Sequence, residues 1–351
     1  MSRSSIAGKV QTVLGPVSPD DLGVTLTHEH VLIDLRCYFA APEEASERAY
    51  IDRPITMDML GRVRKVWAYS NDNLTLLDER AATDEVMEFK LAGGGSLVDA
   101  TSMGIGRDPL MLARMSRRTG LNFIMGASHY TPVSHPADMD SRSEDAIMEN
   151  IVRDITVGVG DTGIKSGIIG EIGCWFPMNE NVKKVLRASG RAQKATGAPI
   201  LVHPPFDFKE LMRALDILVK AGADVKRVIM GHLDLTAQDK TDILTLAKTG
   251  CYLEWDTFGN EDTTKSPLSP LERINDAQRM EKLEWVVENG YGDRLVVAHD
   301  VCIKPHLVRY GGKGYGHILT SIVPRMWKRG WTQAQIDAVL VENPKRVLAF
   351  V

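Results

Sequence analysis

Short apolar segments alternate with helical segments along most of the chain, and this rhythm restricts the possible folds more than any other feature. The eight apolar segments are nearly continuous runs of apolar residues, as expected for strands of a parallel sheet that is covered on both faces. Eight strand–helix units in 351 residues predict a (β/α)8 TIM barrel as a single domain of residues 1–351. A doubly wound open sheet is the alternative fold. The glycine fingerprint that usually follows its first strand is missing here.

The predicted elements follow one another at short intervals. The first strand ends at His30, and the other seven are predicted at 96–101, 121–126, 166–172, 199–203, 227–232, 251–256 and 294–300. Helices are predicted at 81–91, 109–119, 143–157, 181–196, 208–221, 237–248 and 271–289. A short β-hairpin is expected within residues 8–24, a long insertion with some helix at 37–73, and a helical tail at 318–348.

Composition excludes several classes of function. The chain is 44% hydrophobic and 25% charged with a net charge of −4, so it has no basic footprint for nucleic acid. No apolar run approaches the roughly 20 residues that span a bilayer, and the N-terminus lacks the apolar core of a signal peptide. The four cysteines are far apart and form no C-x-x-C pair, which is typical of reduced thiols. We therefore expect a cytoplasmic protein that acts on a small molecule, with no nucleic-acid or membrane partner.

Metal-ligand residues stand where the predicted strands end. His28 and His30 would point to the same face of the first strand, because side chains two residues apart share a face. The later strands end with Glu171, His203, His232 and Asp300. In barrels of this kind the chemistry lies at these strand ends. Any one of the six could be an ordinary polar partner at the barrel rim. Together they exceed the needs of one tetrahedral ion and suit two divalent ions roughly 3.5–4 Å apart.

Several motifs in order carry a family resemblance. They are His28-x-His30, then 167–173, Val202-His203, 231–234 and 298–300, followed by 310–319 and the closing 342–344. From about residue 8 to the C-terminus the chain resembles the phosphotriesterase family of the amidohydrolase superfamily. The resemblance implies a (β/α)8 barrel that holds two divalent cations, usually zinc. It also implies a homodimer.

The resemblance assigns a role to each metal ligand. His28, His30 and Asp300 would hold the more buried ion, and His203 and His232 the more exposed one. Much of the family bridges the ions with a carbamylated lysine, but this chain has Glu171 at that position, as in the phosphotriesterase homology proteins. Asp300 would also take a proton during hydrolysis, which makes it a catalytic residue.

The resemblance also bears on the substrate. True phosphotriesterases have a histidine after the seventh strand, and residues 255–259 contain none. Tyr130 resembles the tyrosine that lies over the metals in lactonases, so we assign it to catalysis and substrate binding. These features favour a zinc-dependent hydrolase of carboxylic esters, most of all lactones. Amide and phosphotriester hydrolysis are the alternatives, and a non-catalytic binding protein on the same scaffold is a remote one.

Some side chains near the strand ends can be interpreted in two ways. Asp234 and Asp256 would either support the ligands or form salt bridges at the rim, and for His129 a structural role is favoured over a substrate contact. Lys304 and Arg309 in the loop after the eighth strand would grip a substrate carboxylate or phosphate, unless that loop is simply solvated. The polar run within 258–267 suits a mobile lid.

Overall fold

The computed structural model describes residues 6–261 and 273–351. Its strands are β1 (Val10–Thr12), β2 (Gly15–Val17), β3 (Val24–Glu29), β4 (Ile33–Asp34), β5 (Thr75–Leu76), β6 (Gly94–Asp99), β7 (Asn122–Ala127), β8 (Ile168–Gly173), β9 (Ile200–His203), β10 (Val228–Met230), β11 (Tyr252–Trp255) and β12 (Leu295–Val297). Strand β3 and strands β6 to β12 form one eight-stranded parallel sheet in chain order. This sheet curls into a nearly closed barrel with helices between the strands, which confirms the predicted (β/α)8 barrel. Strands β1 and β2 form the predicted antiparallel hairpin.

The first and last barrel strands are joined through Glu29, which lies between the two histidines of the first strand. Its carboxylate accepts hydrogen bonds from the backbone N–H groups of His299 at 2.9 Å and Val301 at 3.1 Å. The backbone N–H of Asp300 also donates to the carbonyl of His28 at 3.3 Å. Because these bonds connect opposite ends of the sequence, they bring Asp300 next to the His28–His30 pair.

Helices follow the barrel strands and begin at side chains that cap them. The helices are α1 (Ala45–Arg48), α2 (Leu60–Lys65), α3 (Glu79–Leu91), α4 (Pro109–Thr119), α5 (Glu144–Thr156), α6 (Glu180–Thr196), α7 (Phe208–Lys220), α8 (Leu233–Thr236), α9 (Lys240–Ala247), α10 (Asp276–Glu288), α11 (Val323–Lys328), α12 (Gln333–Asp337) and α13 (Asn343–Leu348). Asp78, Asp108 and Ser143 cap α3, α4 and α5 by accepting backbone N–H groups of the first turn. No helix of the described residues is long and apolar enough to cross a membrane.

Alternate residues of each strand enter two separate apolar layers. Ile229 of β10 packs inside the barrel with Val98, Leu201 and Val296, whereas its neighbours Val228 and Met230 pack outward with the helices. This alternation follows from the two-residue period of a strand. The hairpin and the chain end cover the N-terminal end of the barrel, where the backbone N–H of Gly8 donates to the carbonyl of Phe350 at 2.9 Å. The opposite end remains available for chemistry.

Several predicted elements differ from the structure in their bounds or in their helix type. The predicted helix 237–248 begins only at Lys240 as α9, because the side chain of Asp239 accepts the backbone N–H of Thr241 and starts the helix there. The short helix α8 lies just before the predicted range. The predicted strand 294–300 ends at Val297, and the chain then turns inward to Asp300. The helical tail contains two π-helical turns, Ile318–Ile322 and Ala338–Glu342. Most of the predicted lid, residues 262–267, lies outside the described residues.

Candidate metal centre

The structure brings all six predicted ligands together at the C-terminal end of the barrel, with Glu171 in the middle. Its Oε1 atom lies 3.1 Å from Nε2 of His30, and its Oε2 atom lies 3.2 Å from Nδ1 of His203 and 3.3 Å from Nε2 of His28. His232 reaches the same Oε2 atom at 3.9 Å. The two carboxylate oxygens therefore face different histidines, as a bridging ligand requires.

The ligand atoms form two overlapping groups. Ligand atoms of His28, His30 and Asp300 lie within 4.8 Å of one another, and so do those of His28, Glu171 and His232. Nε2 of His232 and Nδ1 of His203 are 2.7 Å apart. The first group contains the three residues assigned to one ion. The second shares His28 with it and does not include His203, so the assignment of His203 and His232 to another ion stays a prediction.

Unusual backbone conformations aim two of these side chains inward. Asp300 and His232 both have left-handed backbones, with φ of 51° and 52°. Residues with a Cβ atom seldom adopt this conformation, and aspartate and histidine tolerate it better than most. In both cases the chain has just left a barrel strand, so the turn directs the side chain over the open end of the barrel. Strained positions of this kind cluster at functional sites.

A hydrogen-bond chain fixes the orientation of His30. Its Nδ1 atom lies 3.0 Å from the hydroxyl oxygen of Thr101, and that hydroxyl donates its only proton to the carbonyl of Leu32 at 3.0 Å. Because the Thr101 oxygen can then only accept, His30 carries a proton on Nδ1. Nε2 is the nitrogen that faces Glu171 and Asp300, and it would become the metal donor once it loses its own proton.

Asp256 orients two further ligands at once. One carboxylate oxygen accepts from Nδ1 of His28 at 2.9 Å, and the other accepts from Nδ1 of His232 at 2.9 Å. The backbone N–H of His232 also donates to Asp256 at 2.8 Å. Of the two interpretations of Asp256, the geometry supports a partner of the ligand histidines. Asp234 instead pairs with Arg279 at 2.8 Å and with the Thr257 hydroxyl, so its role is structural.

The carboxylates of the cluster favour positive charge on the groups around them. Burial disfavours charge on His30 and His232, yet the carboxylates beside them outweigh burial and raise the pKa of each to about 9. Burial opposes ionisation of Glu171, but the neighbouring histidines hold the pKa of this carboxyl well below its usual range. Protons can supply the positive charge, and so can metal ions, which displace such protons when they bind.

The side chains present fit a pair of divalent cations. His28 Nε2 is buried and forms no well-aligned hydrogen bond with a described residue, although its Nδ1 side is fully engaged. It lies 3.3 Å from Oε2 of Glu171, and a cation held between this imidazole and the carboxylate would satisfy both groups. The donor set of imidazoles and carboxylates is also one that zinc accepts.

An aromatic pocket opens onto the cluster. Tyr38, Trp67 and Phe206 line it on one side, and the cluster contributes Tyr130, His203, His232 and Asp300. The hydroxyl of Tyr130 is 3.4 Å from Nδ1 of His203, and burial raises the pKa of Tyr130 well above its usual value. Tyr130 therefore stays protonated at neutral pH and can donate a hydrogen bond towards a molecule in the pocket.

The two cations predicted to grip the substrate do not line this pocket. Lys304 is held by Asp72, with 2.5 Å between Nζ and Oδ1, and Arg309 is exposed. Lys304 and Arg309 both line a separate surface pocket. Their position therefore does not support the predicted contact with the substrate. The arginines that line the pocket with the cluster are Arg64 and Arg273. His129 lies outside the pocket lining, and burial lowers its pKa to about 3, in keeping with a neutral structural residue.

Several site residues were missed by the sequence analysis. Thr101 follows the second strand and Glu254 lies two residues before Asp256 on the seventh, so both stood at or near strand ends like the predicted ligands. Glu254 lies 3.4 Å from Nδ1 of His28, and burial raises its pKa to about 7. Tyr38 and Arg273 belong to connecting segments, where no strand-end rule applies.

The fold and the site define a class of barrel enzymes whose histidine and carboxylate ligands project from the C-terminal strand ends. Within that class, the chain belongs to the phosphotriesterase family, whose model matches residues 8–348. This confirms the resemblance found in the motifs.

Similar proteins span nearly the whole chain. The N-acetyltaurine hydrolase of Xenopus tropicalis is 43% identical over 348 residues, with 99% of both chains covered. Among solved structures, a resiniferatoxin-binding protein from Rhodobacter sphaeroides has a TM-score of 0.94 and 34% identity, and the match covers 99% of this chain and 98% of that one. The phosphotriesterase homology protein of Escherichia coli, with phosphate in its active site, has a TM-score of 0.77 and 26% identity, with 94% and 99% covered.

Proposed function

We propose that this protein hydrolyses the amide bond of small N-acyl amines. We also propose that the reaction uses two divalent cations, zinc being the first choice, which the six ligand residues would hold. The observation that carries the proposal is the position of Glu171, whose two oxygens face different ligand histidines. The 43% identity to an N-acetyltaurine hydrolase across 99% of both chains favours an amide over the lactone that the motifs alone suggested.

The reaction adds water across the amide. The acyl carbon gains an oxygen from water, the C–N bond breaks, and the products are a carboxylic acid and a free amine. Bound divalent cations would lower the pKa of the attacking water and polarise the acyl carbonyl. His28, His30 and Asp300 would hold one cation and His203 and His232 the other, with Glu171 shared between them.

Asp300 is the residue placed to move the proton. Its side chain is 17% exposed, lines the pocket, and has its Oδ1 atom 3.4 Å from Nε2 of His30. Burial raises the pKa of Asp300, but the neighbouring histidines outweigh burial and lower it, so the group is a carboxylate at pH 7. It can therefore accept a proton from water and pass it to the leaving nitrogen, which must be protonated before an amine can depart.

Tyr130 would donate a hydrogen bond to the acyl oxygen. Its hydroxyl lies at the pocket side of His203 and stays protonated, so it can stabilise charge that develops on that oxygen. The same contact suits a lactone carbonyl, and lactone hydrolysis is accordingly the second candidate function.

The test combines metal content with a substrate panel. Protein purified without chelators is assayed for metal by plasma mass spectrometry and for turnover of N-acetyltaurine, N-acetylethanolamine and a set of lactones. We expect about two metal ions per chain, amide hydrolysis that stops after chelation, and recovery with zinc. Turnover of lactones without any amide would overturn the amide proposal, and undiminished turnover by the metal-free protein would overturn the metal proposal. His203→Ala, which removes a ligand, should lose both activities.

A further inference from the structure

Arg273 is an isolated cation in the wall of the pocket. Its side chain lines the same pocket as Tyr130, His203, His232 and Asp300. Its Nε atom is buried without a hydrogen-bond partner, and the guanidinium makes no ion pair with any described residue. Burial lowers the pKa of Arg273 from its ordinary value, so the charged form is disfavoured where it stands. Arg273 as a whole is partly exposed, but a guanidinium whose Nε atom is buried without a partner destabilises a protein unless something compensates its charge.

The other described polar groups of the pocket form no ion pair with Arg273, although the charge of Asp300 acts on it and opposes the lowering of its pKa. Arg64 has the same sign and donates to the carbonyl of Gly311 at 3.3 Å. Burial lowers the pKa of His306 to about 4, so this imidazole is neutral at pH 7. Asp300 is the acid of the pocket lining, and it is engaged with His30. Arg273 thus lines the same pocket as the ligand cluster and forms no ion pair with a described residue.

We propose that Arg273 binds an acidic group on the amine part of the substrate, so that the preferred substrates are N-acyl amines that carry a sulfonate or carboxylate. This inference rests on the proposed amide hydrolysis. A guanidinium presents several N–H donors in one plane and binds two oxygens of such a group at once. Asn260 and His306 line the same pocket and are neutral, and Arg64 adds a second positive charge, so an anion beside Arg273 would meet a positively charged wall.

The experiment measures selectivity rather than activity alone. Wild-type protein, Arg273→Gln and Arg273→Lys are assayed with N-acetyltaurine, N-acetyl-β-alanine and the uncharged N-acetylethanolamine. In Arg273→Gln we expect kcat/KM to fall about 100-fold for the two anionic amides and less than about 3-fold for the neutral amide. Arg273→Lys keeps the positive charge but loses the planar guanidinium. Its kcat/KM for the anionic amides should lie between those of the wild type and Arg273→Gln. The two anionic amides show whether sulfonate or carboxylate is the better fit.

Arg117→Gln is the matched control, since Arg117 is an exposed arginine of α4 that does not line the pocket. It should leave all three values unchanged. Equal losses for charged and neutral amides in Arg273→Gln would overturn the proposal, because Arg273 would then act through Asp300 or through the fold.

A second readout does not depend on turnover. Inorganic sulfate should raise the melting temperature of the wild type and of Arg117→Gln, but not that of Arg273→Gln. If the wild type hydrolyses none of the amides, the proposed function fails. The change in melting temperature with sulfate then still tests whether Arg273 binds an anion. The same sulfate shift in Arg273→Gln would reject the site even if amide hydrolysis is found.

Discussion

The ligand cluster and the pocket wall above it are built by different means. In the cluster, Thr101 fixes His30 and Asp256 fixes both His28 and His232, so three of the four ligand imidazoles have a set orientation. In the wall, Tyr38 and Arg273 come from connecting segments, and Arg273 has no partner among the described residues. The barrel strands thus hold the reaction chemistry rigidly, while the loops present groups that a substrate must complete. Changes in the cluster should abolish the reaction, and changes in the wall should alter which molecule undergoes it.

The largest effect is expected for Asp300→Asn. The amide keeps the shape of the side chain but cannot accept a proton, so kcat should fall about 1,000-fold. Most of the bound metal should remain, because five other ligands are unchanged. Metal content and kcat are measured on the same preparation. A variant that retains both metal and turnover would remove Asp300 from the proton transfer.

The next effect is a pH dependence of metal binding. His30 and His232 have pKa values of about 9 in the metal-free protein, so both hold protons at pH 7 that a metal must displace. Zinc affinity should therefore fall as pH decreases below 9, by about tenfold per pH unit for each displaced proton. Competition with a chromophoric chelator between pH 6.5 and 8.5 measures this. An affinity that does not vary with pH would contradict the protonated cluster.

The same raised pKa values predict the stability of the metal-free protein. Both histidines have a higher pKa in the folded chain than the ordinary 6.5, so their contribution is complete below pH 6.5 and is lost as pH rises through 9. The chelated protein should accordingly melt at lower temperature as pH increases from 6.5 to 9. Zinc-loaded protein should show no such decline, since metal binding strengthens over the same range.

Asp256→Asn should weaken metal binding about 10- to 100-fold. The carboxylate accepts from three N–H groups of His28 and His232, and an asparagine amide must turn its own donor towards at least one of them. One imidazole then loses its fixed orientation. Excess zinc should restore turnover, because the ligands themselves remain.

The control for Asp256→Asn is Asp234→Asn, which also removes a fully buried carboxylate. Asp234 pairs with Arg279 rather than with a ligand histidine. Asp234→Asn should lower the melting temperature and leave the zinc affinity of the folded protein unchanged. Equal loss of zinc affinity in both variants would mean that Asp256 acts through stability alone.

The difference between cluster and wall also explains what the sequence could predict. His28, His30, Glu171, His203 and His232 stand at or near the ends of apolar strands, and the barrel geometry converts that position in the sequence into proximity in space. Helix α4 was predicted with its observed bounds, and in the structure Asp108 caps its start and Gly120 ends it in a left-handed conformation. The role of Lys304 as a substrate contact stays a prediction without support from the structure, because its partner Asp72 lies 232 residues away and no periodic pattern links them. Arg273 was overlooked for the same reason, since a loop side chain reaches a pocket only through tertiary contacts.

Two neighbouring tyrosines, one in the cluster and one in the pocket wall, allow the smallest change in the two regions to be compared. The rings of Tyr38 and Tyr130 are 6.1 Å apart, yet the Tyr130 hydroxyl faces His203 whereas the Tyr38 hydroxyl bonds to that of Thr131 at 2.5 Å. Tyr130→Phe should lower kcat about 10-fold by removing a donor to the acyl oxygen. Tyr38→Phe keeps the ring that stacks on Trp175 and loses one hydrogen bond, so KM should rise about 2- to 3-fold at constant kcat. Because both changes delete a single hydroxyl from adjacent tyrosines, steady-state kinetics on the pair separate the two regions directly. A loss of kcat in Tyr38→Phe would extend the catalytic region into the wall.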